Sequence, residues 1–441
     1  MEYIAEIQGS SPVEASELLQ YAGKVVKING IVHKIREMSG FAFVILRTGR
    51  ELLQCVYSTD RARFDLSAIG EGWVIAVEGE AVPDSRVTNG VEIHIIGIEV
   101  LSKPAESLPI VINKKKLDIS LDTNLTYRPI SLRNPYERAI FKVQEGIARG
   151  FREYLLKQNF TEIRTPKIVF AGAEGGANIF KLDYFGKQVY LAQSPQFYKQ
   201  AMVGVFERVF EVAPVYRAEK HNTSRHLNEY VSMDFEMGFI HDFTEIMQIE
   251  TGMLKYMCRL LETEYGKELA LLNVKVPRIE SIPSIKFMDA KNIIAEEYRR
   301  EIHDYHDFEP EEEQLLCEYV KKRYNTDFIF VTHYPSSKRP FYAMDDRSDP
   351  NYTLSFDLLY NGLEVTTGGQ RIHDYNEQVE KMVKRGMNPE EFESYLMIHK
   401  YGIPPHGGLG AGLERLTMKL LGQSNVRNAS TFPRDMNRVT P

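Results

Sequence analysis

The feature that most constrains this 441-residue chain is a pair of strand-like segments joined by a long charged loop. Val209 to Tyr216 and Tyr230 to Ile240 are apolar with the spacing of β-strands, which predicts two antiparallel strands. The loop between them is longer than common hairpin turns and is rich in Arg, Lys and His. Because guanidinium groups bind phosphate with paired hydrogen bonds, such a loop is suited to gripping a polyphosphate. A solvated surface hairpin is the alternative.

The composition is that of an ordinary globular protein, long enough for two or three domains with substantial cores. The net charge of −7 argues against a protein that coats nucleic acid, although a local basic patch would still allow an RNA partner. No apolar run is long enough to cross a bilayer and no signal peptide is visible, so we expect a cytoplasmic protein without a membrane partner. The three cysteines lack paired spacing, which indicates a reducing compartment and no zinc site.

Residues 1–103 are predicted to form a small β-domain. Five short strands punctuated by Gly and Asn favour a Greek-key barrel of the oligonucleotide-binding (OB) type over a generic β-module with no ligand. Residues 104–135 contain several lysines and prolines and are predicted to be a linker or hinge. The five predicted strands are Val25–His33, Phe41–Leu46, Leu52–Tyr57, Trp73–Gly79 and Val91–Ile96.

Residues 136–441 are predicted to form a second domain, which makes the chain α+β overall. From Glu137 to Lys157 apolar residues recur at helical spacing, and a short strand from Thr161 to Pro166 follows. An inserted region at about 275–345 mixes helix and strand, has an acidic patch at Glu309 to Glu313, and shows little visible chemistry. Neither GxxxxGK[ST] nor a strand-linked GxGxxG is present. We therefore expect a mixed, mostly antiparallel sheet flanked by helices rather than a parallel nucleotide-binding fold.

A glycine-rich segment near the C-terminus, Gly408 to Leu416, complements the charged loop and contains Glu414-Arg415. The charged loop resembles motif 2 of the class II aminoacyl-tRNA synthetases, and the glycine-rich segment resembles motif 3. The similarity is greatest to the aspartyl type of archaea and eukaryotes and extends over nearly the whole chain. The predicted helix and strand at 137–166 resemble motif 1, which builds the dimer interface of that family. The resemblance thus implies a homodimer, with a buried intramolecular helix as the alternative.

The resemblance also implies a two-step reaction. An aspartate carboxylate attacks the α-phosphorus of ATP to give aspartyl-adenylate and pyrophosphate, and a tRNA ribose hydroxyl then accepts the aspartyl group. Such a protein supplies phosphate-binding cations, Mg²⁺ and alignment, but no nucleophile of its own. Arg217 and Arg415 are the expected catalytic residues, on the α- and γ-phosphates. The expected ATP-binding residues are Arg217, Glu219, Arg225, His226, Tyr230, Glu364 and Arg415.

Two acids and a hydroxyl are expected to bind Mg²⁺. Asp357 and Glu364 lie on what is predicted to be a hairpin, and Mg²⁺ prefers a few carboxylates together with phosphate oxygens and water. Both acids match the family's metal-binding positions, and Thr367 offers a hydroxyl. A strand pair with two surface acids is the alternative.

Two cations are expected to select the amino acid. A buried carboxylate needs compensating positive charge, and Lys199 and Arg371 match the family's pair that grips the β-carboxylate of aspartate. Asparaginyl enzymes of similar fold lack a lysine at the position of Lys199, which favours aspartate. Glu174 lies in a glycine-rich loop that resembles the lid closing over aspartate. The expected aspartate-binding residues are Glu174, Ser194, Gln196, Lys199, Asp234 and Arg371.

The barrel is expected to bind the tRNA anticodon. Phe43 is suited to stacking on an unpaired base, with an aromatic of the barrel core as the alternative. His33 and Asp84 stand where family members strict for tRNA(Asp) are expected to have a bulky apolar residue and a lysine. The sequence therefore favours a relaxed enzyme that charges tRNA(Asp) and also tRNA(Asn), whose product an amidotransferase would convert. The expected anticodon-binding residues are His33, Arg36, Phe43, Gln54 and Glu78.

Three other functions stay open at this stage. An asparagine-specific ligase is disfavoured by Lys199. A catalytically inactive, RNA-binding paralogue would have no use for the cations expected on the ATP phosphates. A tRNA-independent amide synthetase on the same fold is disfavoured by the N-terminal barrel.

Overall fold

The structure is a computed structural model that describes residues 12–49, 51–87, 89–172 and 178–441. The chain divides into two compact units, Met1–Arg138 and Ala139–Pro441. Among the described residues, no helix combines the length and the apolar character needed to cross a membrane.

A closed five-stranded barrel dominates the first unit and confirms the predicted OB-type architecture. The strands close in the order β1-β2-β3-β5-β4, in which β3 and β5 are parallel and the other pairs are antiparallel. Because alternate residues of a strand face opposite sides, one set fills the interior, and Ile28, Val44, Leu53, Val77 and Ile93 of this set are buried. The strands are β1 (Val25–Glu37), β2 (Phe41–Arg47), β3 (Leu52–Ser58), β4 (Val74–Pro83) and β5 (Val91–Ser102).

The segment predicted as a linker has a small core of its own. It carries two short helices, α1 (Leu121–Thr126) and α2 (Arg128–Ser131), and Ile110, Ile112 and Leu117 form a buried apolar cluster. These features give residues 104–135 more internal structure than an extended linker would have.

The second unit is built on an eight-stranded sheet with the order β12-β13-β16-β17-β18-β11-β10-β6. The pairs β12–β13 and β6–β10 are parallel and the others are antiparallel, which confirms the mixed, mostly antiparallel sheet. The strands of this unit are β6 (Thr161–Glu162), β7 (Ile168–Val169), β8 (Lys181–Tyr184), β9 (Lys187–Leu191), β10 (Arg208–Tyr216), β11 (Glu229–Gly238), β12 (Ser284–Lys286), β13 (Phe328–Thr332), β14 (Asp345–Asp346), β15 (Asp349–Thr353), β16 (Ser355–Tyr360), β17 (Glu364–Arg371) and β18 (His406–Gly412).

Helices flank this sheet, and short 3₁₀ turns lie at Ala15–Tyr21, Leu66–Ala68, Ser336–Lys338, Pro389–Phe392 and Val426–Ala429. The longest helix, α3, matches the helix predicted from Glu137 to Lys157, and its periodic apolar residues are buried. The helices are α3 (Pro135–Lys157), α4 (Gln196–Phe206), α5 (Thr244–Glu264), α6 (Gly266–Leu272), α7 (Phe287–Tyr298), α8 (Pro310–Tyr324), α9 (Tyr375–Lys384), α10 (Glu393–Lys400) and α11 (Leu413–Leu420).

Strand pairing gathers the functional segments at the middle of the sheet. The predicted strand pair around the charged loop is present as β10 and β11, antiparallel from Tyr216 and Glu229 onward. β11 pairs with the glycine-rich strand β18, which also pairs with β17, and β17 forms a hairpin with β16. The charged loop, the glycine-rich segment and the two predicted metal acids therefore meet on neighbouring strands.

Candidate active site

A cavity of about 370 Å³ lies among these central elements. It brings together the residues predicted from separate sequence segments to bind aspartate, ATP and metal. Glu174, the predicted lid residue, lies outside the described residues. The predicted residues that line the cavity are Ser194, Gln196, Lys199, Arg217, Glu219, Arg225, His226, Tyr230, Asp234, Asp357, Glu364, Thr367, Arg371 and Arg415.

Lys199 is fixed at the floor of the cavity by three acceptors. It lies on α4 and is only 1% exposed. Its Nζ is 2.9 Å from Asp234 Oδ2 and 3.3 Å from Glu236 Oε2, and it donates to the carbonyl of Leu409 at 2.9 Å. Because a buried ammonium is costly without such partners, these contacts hold Lys199 in one position.

Arg371 binds the other oxygen of the Glu236 carboxylate. Its Nε donates to Glu236 Oε1 at 2.9 Å, and its Nη2 donates to the carbonyl of Gly408 at 3.0 Å. Burial acts to raise the pKa of Glu236, but the neighbouring Arg371 and Lys199 outweigh it and hold the pKa below the usual range. Glu236 therefore links the two cations that were predicted to select the amino acid.

Glu236 was not assigned a role from the sequence, although its position carries a signal. Asp234 and Glu236 are two residues apart on β11, so their side chains project from the same face of the sheet. They lie opposite Gly410 and Gly408 of β18. A Cβ at position 408 would lie 2.3 Å from Glu236 Oε2, and the glycines of β18 thus leave room for the two acids.

Gln196 and Ser194 border this end of the cavity. Gln196 is buried in the first turn of α4, where its Nε2 donates to Gln200 Oε1 at 3.0 Å. Asp234 also accepts a short hydrogen bond from the hydroxyl of Ser232. These contacts fix the direction of Gln196 and Asp234, which were predicted to bind aspartate.

The charged loop begins at Arg217, directly after β10. The backbone N–H of Arg217 donates to the carbonyl of Asn228 at 2.9 Å, which closes the base of the loop. Glu219 accepts a hydrogen bond from Asn178 Nδ2 at 3.2 Å, and its carbonyl accepts from Asn228. Arg217 and Glu219 are therefore presented from an ordered loop base.

The far side of the cavity carries more positive charge. Arg415 lies in the first turn of α11, and its Nη1 donates to the carbonyl of Glu364 at 3.1 Å. Its Nε donates to the carbonyl of Arg225 at 3.3 Å. Burial and the nearby Arg415 lower the pKa of His226, which therefore contributes a neutral imidazole near pH 7. Polyphosphate binding would rest on the arginines at this side.

Tyr230 is partly buried against an apolar cluster that includes Leu227, Leu363 and Val426. It also lines the cavity, so one part of the ring is supported while another part faces the open space. This environment suits the ATP-binding role predicted for Tyr230, since a ring supported on one side can stack on a nucleotide base with the other.

Asp357 and Glu364 lie on the predicted hairpin of β16 and β17, where Asp357 is opposite Thr367. Thr367 donates its hydroxyl to Glu364 Oε1 at 3.0 Å. Burial raises the pKa of Asp357 to about 6, and the charge of Glu364 adds to this rise. For Glu364, burial acts in the same direction, but the nearby arginines hold its pKa below the usual value.

This donor set fits Mg²⁺. Two mutually repelling carboxylates beside a hydroxyl suit a divalent cation that takes its other ligands from water and phosphate. Within the described ranges there is no cluster of three or more His, Cys, Asp or Glu side chains that could hold a metal on its own.

The inserted region supplies functional groups that sequence reasoning missed. Arg339 lies 2.8 Å from Asp357 Oδ1, and its guanidinium stacks over the ring of Tyr334 at 3.9 Å. Both residues line the cavity. No local pattern marks them, because their role depends on the return of the inserted region to the sheet beside β16.

On the barrel, three of the predicted anticodon residues share the outer face. Arg36 of β1 lies directly opposite Phe43 of β2, and Phe43 lies opposite Val56 of β3. Phe43 alternates with the buried residues of β2 and contacts Phe41 edge to face at 5.3 Å, so it is not a core aromatic. Gln54 of β3 is partly exposed and donates to Glu92 at 2.9 Å. Glu78, on β4, is exposed.

His33 is more deeply buried than the other predicted anticodon residues. It lies at the bulge between Val32 and Lys34 and is only 6% exposed. Burial, together with Arg47 and Arg138, lowers its pKa to about 4. A buried ring offers little surface to a base, and contact of His33 with the anticodon stays a prediction.

Asp84 forms a local turn after β4. It accepts hydrogen bonds from the backbone and the guanidinium of Arg86, and these lower its pKa to about 2. A lysine at this position would reverse the charge of the turn.

Comparison with known proteins identifies the family to which this chain belongs. The sequence model of the class II tRNA synthetases for D, K and N matches residues 120–436, which include the whole cavity. The chain belongs to this class II synthetase family. A second model, an OB-fold nucleic acid binding domain, matches residues 26–101 and agrees with the barrel.

Individual relatives are similar over their full length. An aspartate–tRNA(Asp/Asn) ligase of Thermus thermophilus is 46% identical over 426 residues, which are 96% of this chain and 99% of the relative. An aspartyl-tRNA synthetase of Entamoeba histolytica has a TM-score of 0.87 at 30% identity, with 99% of this chain and 94% of that chain covered. An asparaginyl-tRNA synthetase of Pyrococcus horikoshii with bound asparaginyl-adenylate has the same TM-score at 31% identity and full coverage of both chains. The fold is thus shared by enzymes for both amino acids, and the side chains of the cavity must distinguish them.

Proposed function

We propose that this chain joins L-aspartate to tRNA(Asp) through an aspartyl-adenylate formed from ATP, and that it also charges tRNA(Asn) with aspartate. The observation that carries the proposal is the linked pair Lys199 and Arg371, which share Glu236 and line the same cavity as Arg217 and Arg415. One cavity would thus hold the cations that pair with the acidic side chain of aspartate and the cations that pair with the triphosphate of ATP.

Charge balance favours aspartate over asparagine. Without a ligand, the cations Lys199 and Arg371 face the carboxylates Asp234 and Glu236 in equal number. A substrate ammonium that pairs with Asp234 releases Lys199 to pair with the β-carboxylate of aspartate, and the balance is kept. Asparagine brings the ammonium without the second carboxylate, so one buried cation is left without compensation, at considerable cost.

The arginines serve the first chemical step. The α-carboxylate of aspartate forms a bond to the α-phosphorus, the bond from that phosphorus to its bridging oxygen breaks, and pyrophosphate leaves. Arg217 neutralises the charge that develops on the α-phosphate, while Arg415 and Arg225 hold the leaving pyrophosphate group. Arg415 donates to the carbonyls of Glu364 and Arg225, so its position is set before the nucleotide binds.

Asp357, Glu364 and Thr367 would hold Mg²⁺, which neutralises phosphate charge when bound. Arg339 pairs with Asp357, and Arg415 lies 3.6 Å from Glu364 Oε1. The charge of Arg339 offsets part of the rise in the pKa of Asp357, and Arg415 and Arg339 hold the pKa of Glu364 below its usual value, so these guanidinium groups favour the ionised acids that Mg²⁺ would need.

The barrel surface around Arg36, Phe43, Gln54 and Glu78 is the proposed anticodon site. Relaxed tRNA choice is supported by Asp84, which stands in place of the lysine expected in strict members. An amidotransferase would then convert aspartyl-tRNA(Asn).

We also propose a cytoplasmic homodimer with α3 and β6 at its interface, as the motif 1 resemblance implies. Its mass in sedimentation would be twice that of the chain.

Aminoacylation of purified tRNA(Asp) and tRNA(Asn) with labelled amino acids tests the proposal. We expect aspartate to be attached to both tRNAs and asparagine to neither. Aspartylation of tRNA(Asp) alone would contradict the relaxed specificity. Attachment of asparagine would contradict the choice of amino acid.

A further inference from the structure

The acidic patch of the inserted region is not a uniform solvated face. Glu309 and Glu311, at the start of α8, pair with Arg300. Glu313, in the first turn of α8, is only 7% exposed and forms an ion pair with Arg225 of the charged loop. One carboxylate of the inserted region is therefore committed to a residue predicted to bind ATP.

Glu313 lies behind the cavity rather than in its wall. Arg225 lines the cavity, and Glu313 does not. The carbonyl of Arg225 also accepts from Arg415, so the ion pair with Glu313 fixes one of two connected cations. The ion pair with Arg225 is therefore the contact that joins Glu313 to the wall of the cavity.

The helix that carries Glu313 is seated firmly. α8 packs against the turn between β16 and β17, where a Cβ at Gly362 would lie 3.1 Å from the Cα of Gln314. Gly362 has a φ of +77°, which favours glycine, and Glu364 of the proposed Mg²⁺ site follows two residues later. The same helix therefore contacts the charged loop and the turn that leads to the metal acids.

We propose that Glu313 is a positioning residue of the ATP site, which holds the guanidinium of Arg225 toward the β- and γ-phosphates and makes the inserted region part of nucleotide binding. This rests on the function proposed above for the role of Arg225. An arginine on a loop loses side-chain conformational entropy when it binds phosphate. A carboxylate that already holds Arg225 in place lowers the part of this entropy cost that falls on nucleotide binding. Two effects of Glu313 on ATP affinity oppose each other: orientation of Arg225 raises the affinity, and partial neutralisation of the Arg225 charge lowers it.

Binding of ATP with Mg²⁺, measured by titration calorimetry on the full chain, tests the proposal. Burial raises the pKa of Glu313 to about 7, so measurements at pH 8 keep most of it ionised. We expect Glu313→Ala to weaken ATP binding by about tenfold and Glu313→Gln, which can still accept a hydrogen bond, to weaken it less. The matched control Glu311→Gln removes a carboxylate of the same helix turn and should change ATP affinity by less than about twofold.

A double-mutant cycle separates positioning from a general effect on the fold. In an Arg225→Ala background, Glu313→Ala should cause no further loss of ATP affinity, because its effect passes through Arg225. Equal losses in both backgrounds, or unchanged ATP affinity in Glu313→Ala, would overturn the proposal. If Glu313→Ala does not fold, Glu313→Gln is compared in the same two backgrounds.

Aminoacylation assays of the wild-type chain separate this proposal from the function itself. If the chain binds ATP and the cycle behaves as expected, but no aspartate reaches tRNA, the proposed function fails and the role of Glu313 stands. If aspartate is attached normally while Glu313→Ala and Glu313→Gln bind ATP as the wild type does, the role of Glu313 fails alone.

Discussion

A single buried ammonium illustrates how much of this site is fixed by pairwise contacts. Lys199 contacts two carboxylates and a carbonyl, and one of those carboxylates also binds Arg371. Removal of one partner from such a group leaves the other charges buried without compensation. The residue-scale consequences are therefore large and specific.

Lys199→Met should strongly lower kcat/KM for aspartate and leave the affinity for ATP close to that of the wild type. The loss of one member of a buried charge network costs about 2–5 kcal/mol, so kcat/KM for aspartate should fall at least about 30-fold in pyrophosphate exchange. Lys381→Met is the matched control, since Lys381 is also buried and pairs with Asp345 outside the cavity. An unchanged KM for aspartate in Lys199→Met would refute the assignment.

Glu250 should make the protein less stable as the pH rises. Burial raises its pKa from 4.5 to about 8, so the folded state binds more protons than the unfolded state between these values. The free energy of unfolding should then fall across this window by about 1.4 kcal/mol per pH unit at most. Glu250→Gln should flatten the decline, as measured by denaturant midpoints at pH 5.5 and 8. Identical pH dependence in both proteins would contradict this.

At the residue scale the sequence predicted the cavity well and its supporting groups poorly. Lys199, Arg217, Arg371 and Arg415 carry local patterns, and all of them line one cavity. Glu313 pairs with a residue 88 positions away, and no sequence periodicity encodes that contact. The burial of His33 follows from a bulge, which alternation alone does not reveal.

At the element scale, the glycine-rich strand β18 is the feature on which the site depends most. It lies between β11 and β17, so it holds the aspartate-side acids and the metal-side strand in register. A Cβ at Gly408 would lie 2.3 Å from Glu236 Oε2, which leaves no room for a side chain, and a Cβ at Gly410 would lie 3.1 Å from Asp234 Oδ2. The segment therefore needs glycine for close approach and not only for its backbone freedom.

Gly408→Ala should lower both stability and activity. A Cβ there would lie 2.1 Å from the carbonyl of Phe235, and overpacking of this kind costs about 1–3 kcal/mol or more. Gly204→Ala is the matched control, because Gly204 lies in α4 with open space around it and alanine should stabilise the helix by up to about 1 kcal/mol. Thermal unfolding of the two variants beside the wild type would show shifts in opposite directions; equal shifts would contradict the account.

Elements with strong periodicity were predicted closely, while those that depend on partners were not. α3 matches its predicted range within two residues at the start. The strand predicted from Thr161 to Pro166 keeps only Thr161–Glu162, because the backbone N–H of Thr165 instead donates to the side chain of Glu211. The segment predicted as a linker contains two helices and a small apolar cluster. Its composition alone does not show that these apolar residues pack together.

At the scale of the whole molecule, fold similarity alone does not give the substrate. Solved aspartyl and asparaginyl enzymes match the chain with the same TM-score. The division into two units instead suggests that amino acid activation and tRNA binding can be perturbed separately.

Phe43→Ala should weaken aminoacylation without changing activation. Loss of a stacking ring costs about 1–3 kcal/mol per base, so KM for tRNA should rise about 5- to 150-fold while aspartate-dependent pyrophosphate exchange is unchanged. Val25→Ala, an exposed apolar residue at the start of β1, is the control. A parallel loss of both activities in Phe43→Ala would argue against an anticodon role for this face.

The most direct test of the aspartate pocket is ATP–pyrophosphate exchange by the wild-type chain with each amino acid alone. The joint neutralisation of the ligand side chain by Lys199 and Arg371 predicts exchange with aspartate that exceeds exchange with asparagine by at least about 100-fold in kcat/KM. Exchange supported by asparagine, with aspartate inactive, would contradict it.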